Sequence, residues 1–218
     1  IFLFLQNIII DMFSTDDISY YNIKKLIGIV DRLLFKKNLT SKYKNLNIGC
    51  GMNLLPDFEN IDFYSFKFWE KKNIIRVDLN FNFPFKEETF FGAICEHTLE
   101  HFDDKKILHI LSETKKVLKK DGVFRIIVPD LKKYVNYYNG NYEHKNFISF
   151  KNKADAISHL TQRFGHKTCL DYNKLKYLLE IAGYRDIKEK SFKNGLEELC
   201  RHDHPEREWN SLYVEAIK

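Results

Sequence analysis

Five short apolar runs, at 46–49, 58–61, 74–77, 92–95 and 123–128, each bounded by turn residues, constrain this chain more than any other feature. They are too short for helices and read as buried, mostly parallel strands. Between the fourth and fifth runs, Ile107, Leu108, Leu111, Val117 and Leu118 recur on one helical face over 105–118, and Asp121-Gly122 reads as the helix stop. The resulting strand, helix, strand order predicts an α/β fold built on an open twisted sheet.

Further along, Asp130 is placed to cap a helix reaching 138, and the polar, poorly periodic stretch 139–167 reads as an insertion. Asp171 caps a second clear helix over 172–182, ended by Gly183, and strands follow at 184–190 and 212–217. One link is short for this scheme. Only 52–57 separates the first two strands, whereas a parallel crossover ordinarily takes a dozen residues or more. Either the first helix is reduced to a turn or one of the two strands is misassigned.

With 218 residues, 44% of them hydrophobic, the chain can bury one substantial core. Apolar residues recur at helical spacing over 17–39, with Asp16 or Asp17 as cap. We therefore expect an N-terminal extension with an amphipathic helix over 1–43 and one domain over 44–218. The net charge of +5 comes from lysines scattered among acids, with pairs such as Lys115-Lys116 and Lys132-Lys133 reading as solvated faces, so nucleic acid is not the expected partner. Cys50, Cys95, Cys169 and Cys200 form no C-x-x-C pair, which fits a reduced, cytoplasmic setting without a thiolate zinc site. The apolar start 1–10 is short of the roughly 20 residues of a membrane span. The chain opens on Ile1 with its first methionine at Met12, so residues 1–11 read as a fragment end or an over-extended frame.

In open α/β sheets ligands sit at the carboxyl ends of the strands, and Gly49, Gly51, Asp62, Asp78, Glu96, His97 and Asp130 all fall at such ends. Gly49 and Gly51 allow a sharp turn with no side chain between backbone and ligand. Asp62 offers two acceptor oxygens suited to a ribose diol, and Asp78 an acceptor for an exocyclic amine, so a nucleoside-containing cofactor is expected. No G-x-x-x-x-G-K-[ST] loop is present, which argues against a nucleoside triphosphate, and the missing third glycine weakens a pyrophosphate-binding dinucleotide site.

Asn47-Ile48-Gly49-Cys50-Gly51, Glu59-Asn60-Ile61-Asp62, Val77-Asp78-Leu79, Glu96-His97-Thr98-Leu99-Glu100-His101 and Val128-Pro129-Asp130-Leu131 follow one another in an order that resembles class I S-adenosylmethionine-dependent methyltransferases. The resemblance runs from about Lys44 to Lys218 and is closest to a small bacterial branch associated with cell-surface glycan biosynthesis. It implies a Rossmann-like sheet with an antiparallel C-terminal strand, helices on both faces, and S-adenosylmethionine held by Asn47, Gly49, Cys50, Gly51, Asp62, Asp78, Leu79, Glu96 and His97. The implied activity is methyl transfer, at oxygen or nitrogen, to a small-molecule or glycan-linked acceptor. His166, which follows the insertion, is the preferred acceptor-side catalytic residue, with His97 second and His101 and Tyr172 as further candidate bases.

Two other readings stand beside it. A protein of the same fold can bind S-adenosylmethionine without catalysis. His97-Thr98-Leu99-Glu100-His101 also matches H-x-x-E-H, a zinc hydrolase signature, although no partner glutamate is evident as third ligand and no metal ligand is assigned. His202-Asp203-His204-Pro205-Glu206 reads as a solvent-exposed loop. The oligomeric state is left open.

Overall fold

The computed structural model describes residues 38–63, 74–142 and 144–218. Of the two compact units into which the chain divides, Ile1–Leu39 and Thr40–Lys218, only the second is described here as a fold. The helix expected over 17–39 lies outside the described residues except for its last two positions.

Every expected strand forms: β1 (Asn45–Ile48), β2 (Phe58–Asp62), β3 (Ile74–Arg76), β4 (Phe90–Glu96), β5 (Leu118–Pro129), β6 (Arg185–Lys190) and β7 (Ser211–Ile217). They make one seven-stranded sheet in the order β3-β2-β1-β4-β5-β7-β6. Strands β1 to β5 pair in parallel, and β7 runs antiparallel to both β5 and β6. The order reverses between β1 and β4, which opens a crevice at their carboxyl ends.

The longer helices are α1 (Asp104–Val117), α2 (Leu131–Tyr138), α4 (Lys153–Gln162) and α5 (Tyr172–Ile181), with single turns α3 (Lys145–Ile148) and α6 (Glu197–Cys200). Asp103, Asp130, Asn152 and Asp171 each accept a hydrogen bond from the first turn of the helix they precede. Helices α1 and α5 pack together, α1 burying isoleucine and leucine and α5 leucine alone, on the sheet face that carries Phe124. On the opposite face, Phe58, Ile94, Ile127 and Tyr213 pack with Leu199 of α6.

Three expectations are corrected. Asp121-Gly122 does not stop α1. The helix ends when Leu118 turns extended, and the left-handed Asp121 (φ 61°) instead lies in a bulge near the start of β5, between the pairings Phe90↔Leu118 and Gly92↔Val123. The stretch 139–167 is not irregular: it contains α3 and α4, whose Phe147, Ala156 and Leu160 bury Tyr134 of α2 in a small aromatic core of their own. The ring of Tyr137 stacks on Phe147 at 4.4 Å, and Trp209 meets Phe147 edge-on at 4.8 Å. Finally, Asp203 is not a solvent-exposed loop residue, being only 3% exposed.

Its partner is Arg125, a fully buried guanidinium on β5. Arg125 donates Nε to Asp203 Oδ1 (2.7 Å), Nη2 to Asp203 Oδ2 (2.5 Å) and Nη1 to Glu215 Oε1 (3.0 Å), with the carbonyls of Ser191 and Asn194 taking further N–H groups. Burial opposes its charge, but Asp203 and Glu215 outweigh that effect and hold the guanidinium above its ordinary range. Removing one member of a buried ion pair strands the other, at a cost of about 3–5 kcal/mol. Arg125→Met should therefore lower the unfolding free energy by about that amount in urea titrations. Lys176→Met, which breaks the exposed Lys176–Glu180 pair of α5, should change it by less than about 0.5 kcal/mol.

Candidate functional site

Gly49 and Gly51 both adopt left-handed backbone, with φ of 66° and 49°. The turn is held by the amides of Gly49 and Cys50, which donate to the Ile61 carbonyl of β2 at 2.9 and 3.1 Å. A Cβ at Gly49 would lie 2.3 Å from Thr98 Oγ1, so Gly49 is forced by packing as well as by φ. At Gly51 a Cβ would meet nothing within 4 Å, and the backbone there faces open space. Its amide donates to Asp62 Oδ2 at 2.9 Å, fixing the carboxylate beside the turn.

The short 52–57 link contains no helix, and both strands it joins are present. Side-chain amides replace the missing helical bonds. Asn60 Nδ2 donates to the carbonyls of Leu55 and Phe58, its Oδ1 accepts from the Leu55 amide, and Asn47 Nδ2 donates to both Asn60 Oδ1 and the Asn53 carbonyl. Asn47 thus sits behind the loop and shapes it. Buried Cys50 lies in the turn itself.

Asp78 follows β3 and accepts through Oδ1 from the amide (3.0 Å) and side chain (2.8 Å) of Asn80, while Leu79 is buried beside it. Glu96 ends β4 between two loops, with Oε2 3.4 Å from Asn53 Nδ2 and Oε1 3.4 Å from the His204 amide. Burial raises its carboxyl above the ordinary range. Gly51, Asp62, Asp78 and Glu96 therefore stand along the carboxyl edge of four adjacent strands.

His97 has a left-handed φ of 45°, and its Nε2 lies 2.7 Å from Ser211 Oγ. Burial pushes its pKa down to about 3, so the ring is neutral. Although Nδ1 comes within 3.5 Å of Glu100 Oε1, the approach does not make a hydrogen bond, and both Glu100 oxygens are buried without a partner. Burial lifts the Glu100 carboxyl to about 8.

Only Leu99–His101 is helical, as a single 3₁₀ turn, so His97 and His101 do not share a helical face as an α-helix would require. His101 instead meets His166, ring centroids 5.0 Å apart. His166 reaches it because the amides of Lys167 and Thr168 donate to the Glu100 carbonyl and Leu170 pairs with Asp130. Glu100, His101 and His166 each place one ligand-capable atom within 4.8 Å of the others, the only such group among the described residues. Tyr172 is elsewhere, its hydroxyl donating to the Ile187 carbonyl of β6, which removes it as a candidate base. Asp130, read as a strand-end ligand, is committed to capping α2.

Sequence reasoning did not single out Thr98, Asn60 or Ser211. Each acts through contacts that only the folded chain brings together, and none carries a spacing signal.

A family model described as a methyltransferase domain matches residues 56–126, from the β1–β2 link into β5. A solved S-adenosylmethionine-dependent methyltransferase of Archaeoglobus fulgidus superposes with a TM-score of 0.51 at 20% identity, covering 89% of this chain and 94% of that one. The chain shares the fold of this methyltransferase, and its residues 56–126 match a methyltransferase domain. A Thermotoga maritima methyltransferase, described as a possible histamine N-methyltransferase, shares the fold with a TM-score of 0.50 at 14% identity over 96% of this chain and 98% of that one. An uncharacterized protein of Methanocaldococcus jannaschii is 30% identical over 137 residues, 54% of this chain and 58% of that protein. The chain thus spans less than two thirds of the length of this curated relative.

S-adenosylmethionine is the cofactor of such domains, and the strand-end edge of this sheet fits it. Open space at Gly51 admits a ligand against backbone, and Asp62 stands at its side. No helix N-terminus follows β1 to receive a phosphate, while Asp62, Asp78 and Glu96 suit a cationic sulfonium.

Gly49→Ala should cost about 2–5 kcal/mol, combining left-handed strain with overpacking on Thr98. Gly51→Ala should cost only about 1–2 kcal/mol, from strain alone. Chemical denaturation checks both, and Thr98→Ala added to Gly49→Ala should recover part of the loss.

Proposed function

We propose that this chain transfers the methyl group of S-adenosylmethionine to an oxygen or nitrogen of a small-molecule or glycan-linked acceptor. The observation that carries the reading is the Gly51 amide bound to Asp62 at the switch point of the sheet, flanked by Asp78 and Glu96. In this reading the turn at Gly49, Cys50 and Gly51, shaped by Asn47, holds the methionine part. Asp62 takes the ribose, Asp78 with Leu79 the adenine, and Glu96 with His97 lines the floor beneath the sulfonium.

When bound, the cofactor supplies an activated methyl group. The chain's own work is then mainly positioning, because holding two reactants in attack geometry removes much of the barrier without acid catalysis. His97 contributes as a fixed wall rather than as a base: burial disfavours the imidazolium that accepting a proton would create. The acceptor side belongs to the segment that returns through His166. Phe164 stands 63% exposed two residues before it. A cavity lined in part by Asp130, Lys133, Glu189, Lys190 and Ser211 opens beside His97's partner, and its charged and hydroxyl groups favour a polar, hydrogen-bonding acceptor such as a sugar or an amine.

The absence of a disulfide among the cysteines of the described residues supports placement in a reducing compartment, and no described helix is long and apolar enough to cross a membrane.

Asp62→Ala should weaken S-adenosylhomocysteine binding about 10- to 100-fold, the value of hydrogen bonds to a charged group, and Gly51→Trp should abolish it. Calorimetric titration checks both, and unchanged affinity in the two variants would place the cofactor elsewhere. His166→Ala should lose turnover in a methyl-release assay while keeping cofactor affinity. Loss of both assigns His166 a structural role.

A further inference from the structure

Glu100 is 2% exposed, and neither of its carboxylate oxygens has a hydrogen-bond partner. Such a group is costly whether ionised or not, since a buried charge needs a counter-charge and a neutral carboxyl needs an acceptor for its proton. No lysine or arginine forms an ion pair with it among the described residues. His97 Nδ1 lies 3.5 Å from it without hydrogen bonding, and Arg207 acts on it only at a distance. The atoms that do converge on Glu100 are those of two imidazoles.

One of the two imidazoles has a nitrogen committed to backbone. His166 Nδ1 lies 2.6 Å from the Leu160 carbonyl and so carries the proton, leaving the lone pair on Nε2. A carbonyl on one ring nitrogen is what fixes tautomer and orientation in metal-binding histidines, where the other nitrogen donates to the ion. The His101 ring packs edge-on against His166, centroids 5.0 Å apart, so the segment that brings His166 into place also positions His101.

We propose that Glu100, His101 and His166 form a binding site for a divalent first-row transition cation of the Zn²⁺ type. Two imidazoles and one carboxylate are a poor set for Ca²⁺ or Mg²⁺, which take oxygen ligands, and contain no thiolate for a soft ion. Ligand atoms at about 2.0–2.2 Å from one Zn²⁺ lie roughly 3.4 Å apart, so the group closes from within 4.8 Å by side-chain rotation of about 1 Å. His101 and His166 are only partly buried and have room for it. Three protein ligands leave a coordination position open, the arrangement of a catalytic rather than a structural zinc site. The ion would join the turn after β4 to the end of the 139–167 segment. This differs from the hydrolase signature, because His97 is held by Ser211 and is not in the group.

The test uses the full chain, stripped with chelator and titrated with Zn²⁺ by calorimetry in the absence of cofactor, so it stands or falls independently of methyl transfer. One equivalent should bind, and Co²⁺ in its place should give the visible absorption of a low-coordinate nitrogen and oxygen site. Loss of an outer partner alone weakens metal affinity about 10- to 100-fold, so Glu100→Gln, His101→Ala and His166→Ala should each weaken Zn²⁺ binding by about 100-fold or more. Far-UV circular dichroism identifies variants that remain folded. His101→Ala alters a partly exposed side chain and serves if Glu100→Gln does not fold. Absence of stoichiometric binding overturns the site. So does binding that survives in the folded variants, or that is lost instead in His202→Ala/His204→Ala.

Discussion

The buried guanidinium of Arg125 is the interaction on which the rest of the domain depends. In a doubly wound sheet a crossover helix after β1 would cover the face formed by Phe58, Ile94 and Ile127, but the β1–β2 link contains none. That face is covered instead by residues 191–204, a stretch whose only helix is the single turn α6. Such a segment has little helical stability of its own and must be tied down. Arg125 supplies the tie, gathering the carbonyls of Ser191 and Asn194, the Asp203 carboxylate and Glu215 on β7 around one side chain. Asp203 in turn accepts from the Lys193 amide, and Glu215 from the Leu196 amide, so the segment is closed on itself as well as on the sheet.

The tie also reaches the ligand edge. His204 follows Asp203 directly, and its amide is one of two groups that hold Glu96 at the end of β4. The other is Asn53, at the position where the methyltransferases that the sequence resembles have a third glycine. The departure from a glycine-rich loop therefore has a physical account: the loop makes no helix whose N-terminus must pack against a phosphate, so a side chain is tolerated there and is used to hold a carboxylate.

Much of this was legible in the sequence because the central strands β1, β4 and β5 are buried on both faces and therefore appear as apolar runs. Helices α1 and α5 were legible through their period, and Asp130 and Asp171 through capping chemistry. The misread elements share a cause. Helices α3 and α4 are short and stabilised by rings from distant positions, Phe147 against Tyr134 and Trp209, so neither shows a period. Asp121-Gly122 signals a left-handed residue correctly, but that conformation serves a bulge as well as a helix stop. Asp203 sits in a string of polar residues, and only its pairing with Arg125, 78 positions away, makes it a core residue. At the ligand edge, Gly49, Gly51, Asp62 and Glu96 were placed by strand ends alone. The meeting of His101 with His166 was not, because it depends on where the 139–167 segment returns.

That return divides the carboxyl edge into two halves of different character. Over β1 to β3 the chain presents backbone at Gly51 and carboxylates positioned by short local bonds, a surface complementary to a nucleoside carrying positive charge. Beyond β4 the groups are imidazoles and a dry carboxylate, supplied by segments that meet only through tertiary structure: the 3₁₀ turn after β4, the end of the 139–167 segment, and Ser211 at the start of β7. Local bonds make the first half independent of how the 139–167 segment docks. The second half is assembled from the Lys167 and Thr168 amides on the Glu100 carbonyl and the pairing of Leu170 with Asp130, so its geometry follows any change in how the segment docks. The two halves meet at the end of β4, where Glu96 reaches Asn53 and Thr98 packs on Gly49, so the segment that docks beyond β4 can vary in length and packing while the turn after β1 keeps its shape.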